Sequence, residues 1–196
     1  MPAASLLALS LAIGGWEHLV GPLPGETAIE PWFRGEPNPP GADNTAAFFD
    51  ALGSPPVVAA SVAFGGWVLA RRLGPRHAVL LLVAACVVLV STAVKAIVGP
   101  TPLWTEWNMP DGDANLPSGH AAYAAAAFGY VIHVARRAGS LEVAAAAGAL
   151  IGGMGPAAVI GRSHLPSDVL AGYALGFGWL LLVLAVGEPW ARRGRG

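Results

Sequence analysis

The stretch Leu116-Pro117-Ser118-Gly119-His120 leads straight into an apolar run from Ala121 to Ala135. A proline, a serine able to accept a hydrogen bond as an N-cap, a glycine with an open backbone and a histidine describe the start of a helix. The first N–H groups of a helix lack intrahelical partners and its dipole favours negative charge, so the same turn is a potential anion site. Taken alone, ordinary capping is the better explanation of these residues, and what lies around the turn decides between the two.

Composition places the run in a membrane. The chain has 196 residues, 55% of them hydrophobic and only 12% charged, where soluble domains carry about 25% charged residues. Its 17 prolines and 26 glycines sit largely between apolar runs, and lipid-embedded helices tolerate those that fall inside. Basic residues occur in short clusters with a net charge of −1 and form no continuous stripe, which argues against nucleic acid as a partner. The single cysteine, Cys86, has no intrachain partner and is expected to pack as a small hydrophobe.

Six apolar runs follow from this reading: about Ala3 to Gly15, Val57 to Ala70, His77 to Val98, Ala121 to Ala135, Val143 to Ile160, and Val169 to Val186. Several are shorter than the roughly 20 residues that cross a bilayer, and they reach that length with their polar flanks. The first lacks the basic leader of a signal peptide and is read as a span reaching the interface near Trp16 and His18. The expectation is an all-α bundle of six transmembrane helices forming a single domain over residues 1–196. Residues 21–56 are proline-rich, with five acidic residues from Glu26 to Asp50 and the aromatics Trp32, Phe33, Phe48 and Phe49. They are expected to form an extramembrane loop with an interfacial helix near Asn44 to Leu52, anchored by its aromatics at headgroup level. The alanine tract Ala144 to Ala147 suits close helix packing.

Arginine placement sets the orientation. Arg71, Arg72 and Arg76 lie between spans two and three, Arg136 and Arg137 between four and five, and Arg192, Arg193 and Arg195 after span six. The positive-inside rule makes this side cytoplasmic, with both termini inside. Arg34, Lys95 and Arg162 fall on the opposite side, together with most of the acidic residues, the loop 99–117 and the Pro117 to His120 turn.

Three outward segments then converge. Lys95 lies near the outer end of span three, either snorkelling to the interface or serving a site. Ser118, Gly119 and His120 precede span four, and Arg162-Ser163-His164-Leu165-Pro166-Ser167-Asp168 joins spans five and six. The four-residue spacing lets Asp168 accept from one nitrogen of His164 and fix the tautomer of the other. With His120 as a second imidazole, the set holds what phosphoryl transfer through a covalent intermediate needs: a nucleophile, an acid for the leaving oxygen, and cations with backbone N–H groups for the phosphoryl oxygens. A metal site from His120, His164 and Asp168 ranks lower, because Lys95 and Arg162 beside it favour an anion.

These residues resemble the type 2 phosphatidic acid phosphatase (PAP2) family, membrane lipid phosphatases that share an active-site pattern with vanadium haloperoxidases. The family's Pro-Ser-Gly-His motif stands at Pro117 to His120, its His-x-x-x-Asp at His164 to Asp168 followed by Val169-Leu170-Ala171-Gly172, and its first-motif lysine at Lys95 with Gly99 after it. The resemblance implies a PAP2/haloperoxidase-like core with an outward active site. In it His164 is the nucleophile, Asp168 its orienting partner and His120 the general acid, and Lys95, Ser118 and Gly119 contact phosphate. Two departures stand out. The first-motif arginines are replaced by Pro100-Thr101-Pro102-Leu103, and the arginine expected six residues before the histidine is Ala158, with Arg162 two residues before it instead. Arg162 takes that role only if the end of span five is rearranged, and snorkelling accounts for it too.

The expected activity is metal- and cofactor-independent hydrolysis of a lipid phosphate or polyprenyl diphosphate, such as phosphatidic acid or undecaprenyl diphosphate, at the outer leaflet of the cell membrane through a phosphohistidine. The alternatives are a catalytically weak or inactive relative that binds anionic lipid, and a lipid phosphotransferase. Oligomeric state is left open by the sequence.

Overall fold

The computed structural model describes residues 2–33, 37–98 and 116–192, and the regular structure among them is helical. In chain order the helices are α1 (Pro2–Leu19), α2 (Glu30–Phe33) after a 3-10 turn at Glu26–Ile29, α3 (Ala42–Gly53), α4 (Pro55–Leu73), α5 (Pro75–Ala85) and α6 (Val87–Val98). They continue with α7 (Gly119–Tyr123), a π-helical turn (Ala124–Phe128), α8 (Gly129–Arg137), α9 (Leu141–Ile160) and α10 (Pro166–Arg192).

The run after Ser118 is the centre of the bundle. Every residue from Ala121 to Ala127 is buried, because α5, α6, α9 and α10 all pack around this helix. Its small side chains allow that crowding. From the other side, α10 offers Gly172 and Gly176, four residues apart on one face. A Cβ at Gly172 would lie 2.5 Å from the Ser118 carbonyl oxygen, and one at Gly176 would collide with the Ala122 carbonyl. This is a small-xxx-small contact, in which missing side chains let two helix backbones meet. Asp168 lies one turn before Gly172, so the same contact carries it to the Pro117–His120 turn. Gly14 of α1 likewise leaves room for Leu116, the first residue of that turn.

Polar side chains tie the remaining helices to this core. The Ser61 and Tyr123 hydroxyls bond at 2.7 Å between α4 and α7, and His77 Nδ1 meets the Tyr130 hydroxyl at 2.8 Å between α5 and α8. Tyr173 of α10 enters the backbone ladder of α9 just before Pro156, accepting from the Gly155 N–H and donating to the Ile151 carbonyl. A side chain inserted there offsets the opening that a mid-helix proline creates.

Among the described residues, three helices are long and apolar enough to cross a membrane: α5 with α6 as one 24-residue helix, α9 with 20 residues, and the 26 residues Pro166–Ala191 of α10. The pair α3 and α4, bent by 61° at their junction, makes a fourth if taken as one span. The chain is thus an all-helical membrane protein. These helices are three to four of the six expected spans; of the others, α1 carries Glu17 and His18 in its last turn and the central helix is interrupted by a π turn. Two arginine clusters share one end of the bundle. Arg76 donates to the Trp190 carbonyl at 2.8 Å with its guanidinium over that ring, and Arg137 pairs with Glu188 at 2.7 Å. Arg34, Arg193 and Arg195 lie outside the described residues.

Candidate active site

The Pro117–His120 turn is held from two sides. The Ser118 N–H donates to the Asp168 carbonyl at 2.9 Å, and the Ser91 hydroxyl of α6 donates to the Pro117 carbonyl at 3.2 Å. The buried Ser118 hydroxyl accepts from the Ala121 N–H at 3.4 Å as an N-cap. The Ser118 N–H is therefore engaged with protein, while its hydroxyl, accepting from Ala121, keeps its own proton to donate. Gly119 remains on the wall of the adjoining groove.

His164 and Asp168 sit where α9 ends and α10 begins. Arg162 ends α9 in the left-handed conformation, at φ 58°. The Ser163 N–H reaches back to the Ala158 carbonyl at 3.0 Å and the Arg162 N–H to that of Val159 at 2.9 Å. This paired closure is usually built on glycine, and an arginine there carries a local backbone cost. The turn leaves Arg162 half-buried, with Nε shielded from solvent. His164 is buried, its Nδ1 3.4 Å from Asp168 Oδ2, and the same oxygen accepts from the Leu165 N–H at 2.8 Å. Asp168 is fully buried in the first turn of α10, where helix N–H groups favour an anion.

His120 lies against the C-terminal turn of α3. Its Nε2 is 3.3 Å from the Asp50 carbonyl oxygen and 3.5 Å from the Asp50 carboxylate. The ring occupies the space a side chain would fill at Gly53. Burial lowers the His120 pKa below its ordinary value; Asp50 opposes this, and His164 and Lys95 reinforce it. Lys95 and His120 line one cavity, His164 lies within electrostatic reach of His120, and Asp168 contacts His164, so these four expected residues share one end of the bundle.

From that cluster a groove of about 810 Å³ runs between α4 and the α5–α6 helix. Lys95, Gly119 and His120 line its head; Ala59, Val62, Ala63, Leu82, Val88 and Leu89 are among its walls, and Gly66 and Ala78 lie at its far end. From Ala78 to Lys95 is 17 residues, about 25 Å of helix. The opening is polar and the walls are apolar.

Some residues of this site carry no sequence signal. Asp50 meets His120 across 70 positions. Behind Asp168 lie Glu17 of α1, fully buried, and Glu26, whose two carboxylate oxygens accept from the Ser167 and Leu23 N–H groups at 2.7 Å each. Positions 99–103, with the altered first motif, and the rest of the loop up to 115 lie outside the described residues.

The chain matches the PAP2 superfamily family model over residues 77–191. No curated protein sequence matches it. Among solved structures it is similar to a transmembrane PAP2-type phosphatidylglycerolphosphate phosphatase from Bacillus subtilis, at 20% identity and a TM-score of 0.76, covering 95% of this chain and 96% of that one. The likeness extends to the fold as a whole, and the matched residues include His120, His164 and Asp168 in their bundle of helices, so the chain belongs to the PAP2 superfamily.

Proposed function

We propose that this protein is a membrane phosphatase that hydrolyses a lipid phosphate or a polyprenyl diphosphate at the outer leaflet through a phosphohistidine. One observation carries the reading: Lys95 and His120, with His164 and Asp168 beside them, head an apolar groove long enough for a lipid chain. The phosphatase named among the structural relatives supports the same class of chemistry. The orientation follows the arginines: their shared end faces the cytoplasm and the site faces out.

In this scheme Asp168 holds His164 with its proton on Nδ1, leaving the Nε2 lone pair to attack phosphorus. The bond to the leaving oxygen breaks as His120 gives that oxygen its proton. Lys95, the Gly119 backbone and Arg162 balance the phosphoryl charge. A water molecule then attacks the phosphohistidine, His120 takes its proton, and inorganic phosphate leaves with His164 restored. No step calls for a metal. Ser118 serves by holding the turn on α10 in place of donating its N–H to phosphate.

The direct test is phosphate release from phosphatidic acid, phosphatidylglycerol phosphate and a polyprenyl diphosphate by protein purified in detergent, beside His164→Ala. Release from wild type at 10³-fold or more above the variant, on the order of losses seen for catalytic nucleophiles, is the expected result. Equal background release would leave a lipid-binding relative as the better reading.

A further inference from the structure

The His164–Asp168 pair is backed by a carboxyl group that the catalytic scheme does not use. Glu17, in the last turn of α1, is fully buried where α1 packs along α10. Its neighbours there are Asp168, Ser167 and Glu26. Glu26 is satisfied as an anion by two backbone N–H groups, and Asp168 Oδ2 by His164 and the Leu165 N–H. Among the described residues, Asp168 Oδ1, both Glu17 oxygens and the Ser167 hydroxyl have no hydrogen-bond partner in good geometry, although the Ser167 hydroxyl lies beside the Glu17 carboxyl.

The one Ser167 hydroxyl proton cannot satisfy three carboxylate oxygens. A third buried anion would face two like charges, at a cost that one proton removes. A neutral Glu17 donates its O–H to Asp168 Oδ1, and its carbonyl oxygen accepts from the Ser167 hydroxyl. That single proton gives all four oxygens a partner. We propose that Glu17 is a positioning residue, a neutral carboxylic acid on α1 that donates to Asp168 Oδ1 and so holds the His164–Asp168 pair in place. The proposal rests on the catalytic reading of that pair. It ties α1, far from the motifs in sequence, to the nucleophile, because an Asp168 held through both oxygens cannot turn away from His164 Nδ1.

Two variants of the full-length protein separate this from a packing role. Glu17→Gln keeps a donor and an acceptor in the same places, and its kcat is expected within about threefold of wild type, with the acid limb of the pH profile unmoved. Glu17→Met fills the space without a donor, and its kcat is expected to fall about tenfold or more at unchanged KM. Thermal melting in detergent reports whether each variant folds. Infrared spectra need no turnover: the carbonyl stretch of a neutral carboxylic acid should appear in wild type and vanish in Glu17→Gln. A Glu17→Met enzyme as active as wild type, a shifted acid limb in Glu17→Gln, or no neutral-acid band would each overturn the proposal. Wild type no more active than His164→Ala would instead remove the catalytic reading, and the positioning role with it.

Discussion

His120, the proposed general acid, sits in a crowded position. Its ring rests on Gly53 and its Nε2 faces the end of α3, where the Asp50 carbonyl and carboxylate are the nearest acceptors. A histidine that must give up a proton needs to hold one first, and burial works against that. Asp50 opposes the effect of burial. Removing its charge in Asp50→Asn should therefore lower the His120 pKa further and deprotonate it earlier on the alkaline side. The alkaline limb of kcat/KM moves to lower pH, while a limb that stays in place would show that Asp50 does not govern the acid. At this scale the sequence exposes residues whose partners are close along the chain. His164 and Asp168 are four positions apart, a spacing that one turn of helix turns into a contact. Asp50 and Glu17 meet the site across long stretches of chain, and no local pattern announces them.

At the scale of elements, the site exists because two helices approach until their backbones touch. The alanines of the central helix were legible as an apolar run, but their packing role was not, since apolar periodicity reports which face is buried and not how closely. Gly172 was visible only as part of a family-like continuation; its meaning comes from the Ser118 carbonyl, 2.5 Å from any Cβ placed there. Gly172→Leu should force α10 away from the turn, break the Ser118 N–H bond to the Asp168 carbonyl, and destabilise the fold by about 1–3 kcal/mol. A lowered melting temperature together with lost activity is the expected outcome; a variant with wild-type melting and rate would contradict this account of the helix contact. The left-handed turn at Arg162 was equally hidden, because its residue type gives no reason to expect a conformation that glycine adopts most easily.

At the scale of the whole molecule, a polar head and a long apolar groove are joined in one opening. Composition identified the membrane, and the arginine clusters anticipated that two of them would gather at one end, as Arg76 and Arg137 do around the end of α10. The groove itself depends on α4 and the α5–α6 helix diverging from their contact near Gly66 and Ala78, a property of helix angles that no run of residues encodes. Ala63→Trp, placed about one turn from the far end of the groove, should obstruct a long chain while leaving the head open. KM for a long-chain lipid phosphate is expected to rise about tenfold, the scale of losing roughly 1.4 kcal/mol of binding, with a short-chain analogue hydrolysed as before. Equal effects on both would place the substrate chain elsewhere. In the proposed reaction the phosphoryl group passes through His164. Turnover quenched without acid and analysed by peptide mass spectrometry should show a phosphoryl group on His164, labile to acid and absent from His164→Ala. A labelled His120, or unmodified His164 during demonstrable phosphate release, would contradict it.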